Sequence, residues 1–222
     1  MAEAVGTAAL LYVGILVLNV AGGGTLVEVA LAHGLTIAVM ASATMHISGG
    51  QFNPAVTVGL LATRKIGPRQ ALVNIVAQLL GGLVGAYLAL VSLGGADITA
   101  GVPDLGAGVG IGQAILVEAV LTFFLMFVIF GTVVDGDISG KFSGKFSGKL
   151  AGLAIGLTVT LDILAGGPLT GAALNPARWL AAAIPAGHYA NAVVYFVGPI
   201  AGALAAALLY EHVLMDKAKA AA

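Results

Sequence analysis

Asn53 and Asn175 each open an Asn-Pro-Ala triplet, and the two triplets stand 122 residues apart in near-copies of one peptide. The copies read His46-Ile47-Ser48-Gly49-Gly50-Gln51-Phe52-Asn53-Pro54-Ala55 and Leu169-Thr170-Gly171-Ala172-Ala173-Leu174-Asn175-Pro176-Ala177-Arg178. Asn is a preferred N-cap and Pro a preferred first helical residue, so each triplet is first of all a helix start. A capping Asn accepts a backbone hydrogen bond through its side-chain oxygen, which leaves its NH₂ group free to donate. Two such starts can aim two donors and two positive helix ends at one point. Arg178 adds a fixed charge at the third helical position of the second copy, where the macrodipole opposes it. This is equipment for holding a small polar molecule while repelling cations. No Ser-His-Asp, metal-ligand or phosphate-cradling constellation accompanies it. The sequence therefore reads as no enzyme, with neither cofactor nor metal.

The surrounding elements are those of a membrane protein. The chain is 59% hydrophobic and 9% charged, with a mean hydropathy of +1.06, far more apolar than the roughly quarter-charged usage of soluble domains. Residues 4–27, 70–96 and 179–210 carry no Asp, Glu, Lys or Arg, and the uncharged stretch 29–63 is too long for one crossing. Caps and breakers predict membrane helices over 3–21, 26–46, 69–92, 111–134, 149–165 and 189–212. The apolar pieces left over, 53–62 and 175–184, would reach about half of a ~30 Å hydrocarbon core, so they read as re-entrant half-helices. Irregular backbone at that depth is tolerated only where protein buries it or water lines it, which places a polar cavity at their junction.

The offset of 122 also carries Gly34-Leu35-Thr36 onto Gly156-Leu157-Thr158, and a slightly smaller one carries Glu3 and Thr7 onto Glu118 and Thr122. Three crossings per copy invert the second copy relative to the first. The expected fold is an all-α membrane protein, with six transmembrane helices and two re-entrant half-helices in an inverted repeat. It forms one channel domain over 1–222, made of repeats 1–92 and 111–212.

Arg64, Lys65 and Arg69, then Lys141, Lys145 and Lys149, then Lys217 and Lys219 all fall on one side of this topology. By the positive-inside rule that side is cytoplasmic and holds both termini. The opposite loops, 22–25 and 94–110, carry Asp97 and Asp104 but no Lys or Arg. The tandem segment 140–149 reads as a solvated loop skimming the bilayer. The first apolar run has no basic start and is too long for a signal peptide, so it reads as a retained helix. The absence of Cys leaves no disulfide framework or thiolate site, and a net charge of −1 offers nothing to nucleic acid.

At the paired Asn-Pro-Ala boxes with Arg178, the chain resembles the aquaporin (major intrinsic protein) family over nearly its whole length. It is most similar to water-selective and tonoplast-type members in Ala32-His33, Asn53-Pro54-Ala55-Val56-Thr57 and Ile163-Leu164-Ala165-Gly166-Gly167-Pro168. The resemblance implies a passive channel for water and small neutral solutes, as a homotetramer in a plasma or vacuolar membrane. It implies an outer constriction of His33, Ile163, Ala172 and Arg178. Glu3 and Glu118 would accept loop N–H groups, and His46 would support the first loop. Gln51 stands where relatives often carry His, and the resemblance assigns no role to Asp162 or Trp179.

Competing readings remain open at this stage. Glycerol-conducting relatives typically have Asp after the second Asn-Pro-Ala-Arg, where Trp179 stands here, whereas Ala183 and Tyr195-Phe196 fit the water branch. The small Ala172 leaves room for ammonia or hydrogen peroxide. A secondary transporter would share the half-helices but should carry an ion-coupling site. A non-conducting structural protein would need a flat outer surface, and loop 94–110 is Gly-rich and weakly charged.

Overall fold

The computed structural model describes residues 1–19, 23–135 and 147–215, with the backbone alone at 147–149. Lys141, Lys145, Lys217, Lys219, the Lys149 side chain and loop residue Gly22 lie outside the described residues. Among the described residues eight α-helices follow in order: α1 Ala2–Asn19, α2 Leu26–Ser48, α3 Pro54–Ala62, α4 Pro68–Ser92, α5 Ile111–Ile129, α6 Ser147–Thr170, α7 Pro176–Ala186 and α8 Ala192–Leu209. Helices α5 and α8 each close in a wider π turn, Phe130–Val134 and Tyr210–Leu214. Among the described residues six helices are long and apolar enough to cross a membrane. The short ones, α3 with 9 residues and α7 with 11, are the half-helices.

Local sequence explains most of the boundaries. Thr25 caps the Glu28 N–H of α2 while the Glu28 carboxylate accepts from the Thr25 N–H at 2.7 Å, a reciprocal box. Gly49, at φ 96°, ends the same helix in a conformation that suits Gly. Two boundaries depart from expectation. Helix α6 continues past 165 to Thr170, because Gly166 and Gly167 are close-approach points rather than breakers. A Cβ on Gly166 would strike the Leu121 side chain, and one on Gly167 would lie 2.8 Å from Leu26 Cδ1. Helix α8 begins at Ala192 instead of 189, because Asn191 takes a left-handed φ of 57° just before it.

Small residues let the long helices cross closely. A Cβ on Gly34 of α2 would lie 2.5 Å from the Gly156 carbonyl oxygen of α6, and a Cβ on Gly156 would strike the Gly34 carbonyl in return. Gly81 and Gly85 of α4 press on Ala4 and Ala8 of α1, as Gly198 and Gly202 of α8 press on the Glu118 and Ala119 region of α5. The half-helices exchange partners across the repeat: α3 packs mainly on α8, and α7 mainly on α4. Each half-helix is thus held in place by the opposite half of the chain.

Candidate functional site

The two box approaches run through the interior in unusual backbone conformations. Gly50, Phe52, Ala172 and Leu174 all have positive φ, at 58°, 50°, 44° and 58°. For non-Gly residues this region costs of order 1–3 kcal/mol each and persists only where the surroundings over-determine it. Buried carboxylates do so here. Glu3 accepts from Gln51 N at 3.0 Å, Phe52 N at 2.7 Å, Ser48 Oγ at 2.7 Å and Gln78 Nε2 at 2.8 Å. Glu118 accepts from Ala173 N at 2.9 Å, Leu174 N at 2.7 Å and Thr170 Oγ1 at 2.7 Å. The two sets match by the repeat, and they gather the N–H groups that a buried loop would otherwise leave without acceptors.

With N–H groups turned to the acids, the loop carbonyls turn to the junction. Asn53 caps α3 through Oδ1 to Ala55 N at 2.9 Å, and Asn175 caps α7 through Oδ1 to Ala177 N at 2.9 Å. The Asn53 Nδ2 then donates to the Leu174 carbonyl and the Asn175 Nδ2 to the Phe52 carbonyl, both at 2.8 Å. The expectation that each NH₂ group is wholly free is therefore revised: one hydrogen of each ties the two loops together. An amide carries two donors, and both side chains line a cavity of about 470 Å³. Both Pro residues and both Ala residues of the boxes are buried in the half-helix starts.

The four residues expected at the outer constriction converge. His33, Ile163, Ala172 and Arg178 all line the same cavity, and all are buried. His33 Nδ1 donates to the Val29 carbonyl at 2.8 Å, and Arg178 Nη2 donates to His33 Nε2 at 3.2 Å. A carbonyl can only accept and a guanidinium can only donate, so this arrangement holds the imidazole neutral with its proton on Nδ1. Arg178 Nη1 is buried without any protein acceptor. A second cavity of about 390 Å³, on the side expected to be outer, shares Ile163 and Arg178 with the first. These two side chains therefore stand between the cavities, as a constriction would.

Inward from the box asparagines, the larger cavity has apolar walls of Val56, Leu60, Leu125, Ile129 and Val159 and ends near Lys65 and Ile66. Lys65 Nζ lies 2.7 Å from Glu211 Oε2, yet that oxygen receives no aligned hydrogen bond. Both side chains are partly exposed, so the pair is worth about 1 kcal/mol at most. Asp104 borders the outer cavity. It accepts from Asn191 Nδ2, Leu105 N and His188 Nε2 at 2.7, 2.8 and 2.7 Å. Burial works to raise its pKa, but these donors together outweigh burial and hold the carboxyl below its ordinary range.

Some expected residues lie elsewhere. His46 is exposed on the last turn of α2 and makes no hydrogen bond to the loop, because its helix position faces away from the bundle; the support expected of it comes from Glu3. Gln51 lines the inner cavity and accepts from Thr57 Oγ1 at 2.7 Å and Asn74 Nδ2 at 3.1 Å. Asp162 is buried outside the cavity lining, with Oδ2 unpartnered. Two contributors were missed in the sequence. Gln78, fully buried, bridges Glu3 and Thr57; its signal was the row of amides Gln70, Asn74 and Gln78, four residues apart in the uncharged stretch 70–96. Trp179 donates through Nε1 to the Pro103 carbonyl at 3.1 Å and stacks on Tyr195 at 5.4 Å.

Comparison with known proteins shows what the chain is similar to. A family profile described as "Major intrinsic protein" matches residues 1–210. Aquaporin TIP4-4 of Zea mays is 43% identical over 202 residues, covering 89% of this chain and 77% of the relative. Nodulin-26 of Glycine max is 39% identical over 218 residues, covering 96% of this chain and 76% of the relative. The solved structure of the aquaglyceroporin from Plasmodium falciparum superposes with a TM-score of 0.83 at 26% identity, covering 96% of this chain and 94% of the other.

Proposed function

The chain belongs to the major intrinsic protein family, whose members are channels and not enzymes, and from that premise we propose that it is a passive water channel excluding protons and ions. The observation that carries the reading is the pair of reciprocal bonds between Asn53 and the Leu174 carbonyl and between Asn175 and the Phe52 carbonyl. They hold two amide groups at opposed helix starts inside one cavity. A water passing there meets donors from both sides and two positive helix ends, so its oxygen turns inward and its hydrogens outward. A water held this way is a poor relay for a proton. Asn53, Pro54, Ala55, Asn175, Pro176 and Ala177 form this central station, and His33, Ile163, Ala172 and Arg178 form the outer filter.

The filter supports the rest of the reading. Arg178 presents a buried charge and a free Nη1 donor to whatever passes, which repels cations and offers a hydrogen bond to a water. Ala172, which lines the same cavity, adds almost no side chain, so ammonia or hydrogen peroxide passes with water in this reading. The functional unit is the channel domain 1–222 with repeats 1–92 and 111–212, as a homotetramer in a plasma or vacuolar membrane, termini cytoplasmic.

The likeness to an aquaglyceroporin favours a second reading, a glycerol facilitator. A swelling assay on proteoliposomes separates the two. Water conduction predicts fast shrinkage in sucrose and no rapid re-swelling in glycerol; re-swelling as fast as the shrinkage would establish the second reading.

A further inference from the structure

We propose that Trp179 is a positioning residue for solute selectivity, clamping the outer loop over the filter; this rests on the channel reading above. The residue directly follows Arg178 and is 1% exposed. Its ring stacks on Tyr195 at 5.4 Å and 12° and meets Phe196 edge-on at 6.0 Å and 77°. The indole plane is therefore set by two aromatic neighbours, and its single donor has one direction to point. It points at the Pro103 carbonyl, 3.1 Å away.

Pro103 lines the outer cavity together with Val102, Asp104 and Arg178. The same strip leans on the second box approach. The Gly106 N–H donates to the Leu169 carbonyl at 2.9 Å, and a Cβ on Gly171 would lie 2.8 Å from Pro103 Cα. Tyr195 closes the circuit by donating to the Thr170 carbonyl at 2.9 Å. One indole thus joins the helix that carries Arg178 to the loop that faces it. The distance between those two walls is the width of the vestibule that a solute enters before the filter. Water crosses a slightly wider or more mobile vestibule with little change. A larger polyol, excluded by that width, does not.

Trp179 is the chain's single tryptophan, which makes the test clean. Trp179→Phe keeps an aromatic stack and deletes the donor. Replacing the residue by 3-benzothienylalanine deletes only the N–H and keeps the ring size, so the proposal stays testable if the Phe variant does not fold. Proteoliposomes of each form are assayed for water and glycerol permeability, and hydrogen–deuterium exchange is followed over residues 102–106. The clamp predicts exchange about fivefold faster there, the factor by which losing one hydrogen bond of ordinary net strength shifts an opening equilibrium, together with a raised glycerol-to-water ratio. An unchanged ratio with unchanged exchange would reduce Trp179 to core packing. Faster exchange with an unchanged ratio would keep the clamp but overturn its role in selectivity. A lack of water permeability in the unmodified protein would overturn the channel reading itself, whatever the exchange shows.

Discussion

Arg178 Nη2 donates to His33 Nε2 across 3.2 Å, joining residues 145 positions apart in the chain. The contact draws one arm of the guanidinium to the wall formed by α2 and leaves Nη1 without a protein partner. Among the described residues the guanidinium is thereby placed by an imidazole and not by a direct ion pair. In the first repeat the position 122 residues earlier is Val56, so the charge belongs to one side of the junction only.

Replacing Arg178 with Val should preserve folding, since a buried cation in the membrane costs roughly 2.5–3.5 kcal/mol and its removal relieves that cost. Proton or small-cation leak should appear while water permeability persists. Electrical conductance of planar bilayers and pH-dye flux in vesicles would measure it. A folded variant as ion-tight as the parent would move all exclusion to the two asparagines.

Glu118→Gln should weaken the second box approach. The carboxylate receives three donors, from Ala173, Leu174 and Thr170, and an amide NH₂ placed among donors loses at least one of them. The cost should be about 2 kcal/mol, the scale of a hydrogen bond to a charged group, read as a lower melting temperature in detergent. Glu3→Gln should behave alike, and unchanged stability in both would show that the acids do not support the loops.

Narrowing the filter is best tested at Ile163. Ala172 has a φ of 44°, so a Phe placed there would add backbone strain to the intended steric effect. Ile163 sits in regular helix and lines both cavities. Ile163→Phe should lower ammonia uptake more than water flux; equal loss of both would take Ile163 out of the filter.

The outer loop should loosen in acid. Asp104 has its pKa lowered in the folded protein by its donors against the effect of burial. Its stabilising contribution is therefore complete above the ordinary carboxylate value of about 3.9 and is lost as pH falls through the lowered value. Amide exchange across 104–106, compared at matched intrinsic rates, should rise only in that acid range in the parent. In Asp104→Asn it should be raised at neutral pH already. Protection that is flat down to the lowest pH would separate the loop's order from this carboxylate.

Residues whose role is local could be read directly. The Asn and Pro of each box announce a helix start whatever surrounds them, and an Arg in an apolar setting announces a function. What could not be read is where side chains meet across the fold. Nothing in the sequence shows that Asn53 spends a hydrogen on the Leu174 carbonyl, or that Trp179 reaches Pro103, because both depend on the relative placement of segments tens of residues apart. His46 misled because it stands next to the first box approach in sequence, while its direction depends on the helix face, which here is exposed. Gly166-Gly167-Pro168 read as a stop, but packing against Leu121 and Leu26 needs those glycines inside the helix.

In the proposed channel, water passes Asn53 and Asn175 in single file without relaying protons. The direct measurement follows osmotic shrinkage and the collapse of an imposed pH gradient together, in vesicles reconstituted with the purified protein. Fast shrinkage of low activation energy, with a pH gradient as long-lived as in protein-free vesicles, is the predicted result. Shrinkage at the rate of bare lipid, or a gradient that collapses as water flows, would contradict it.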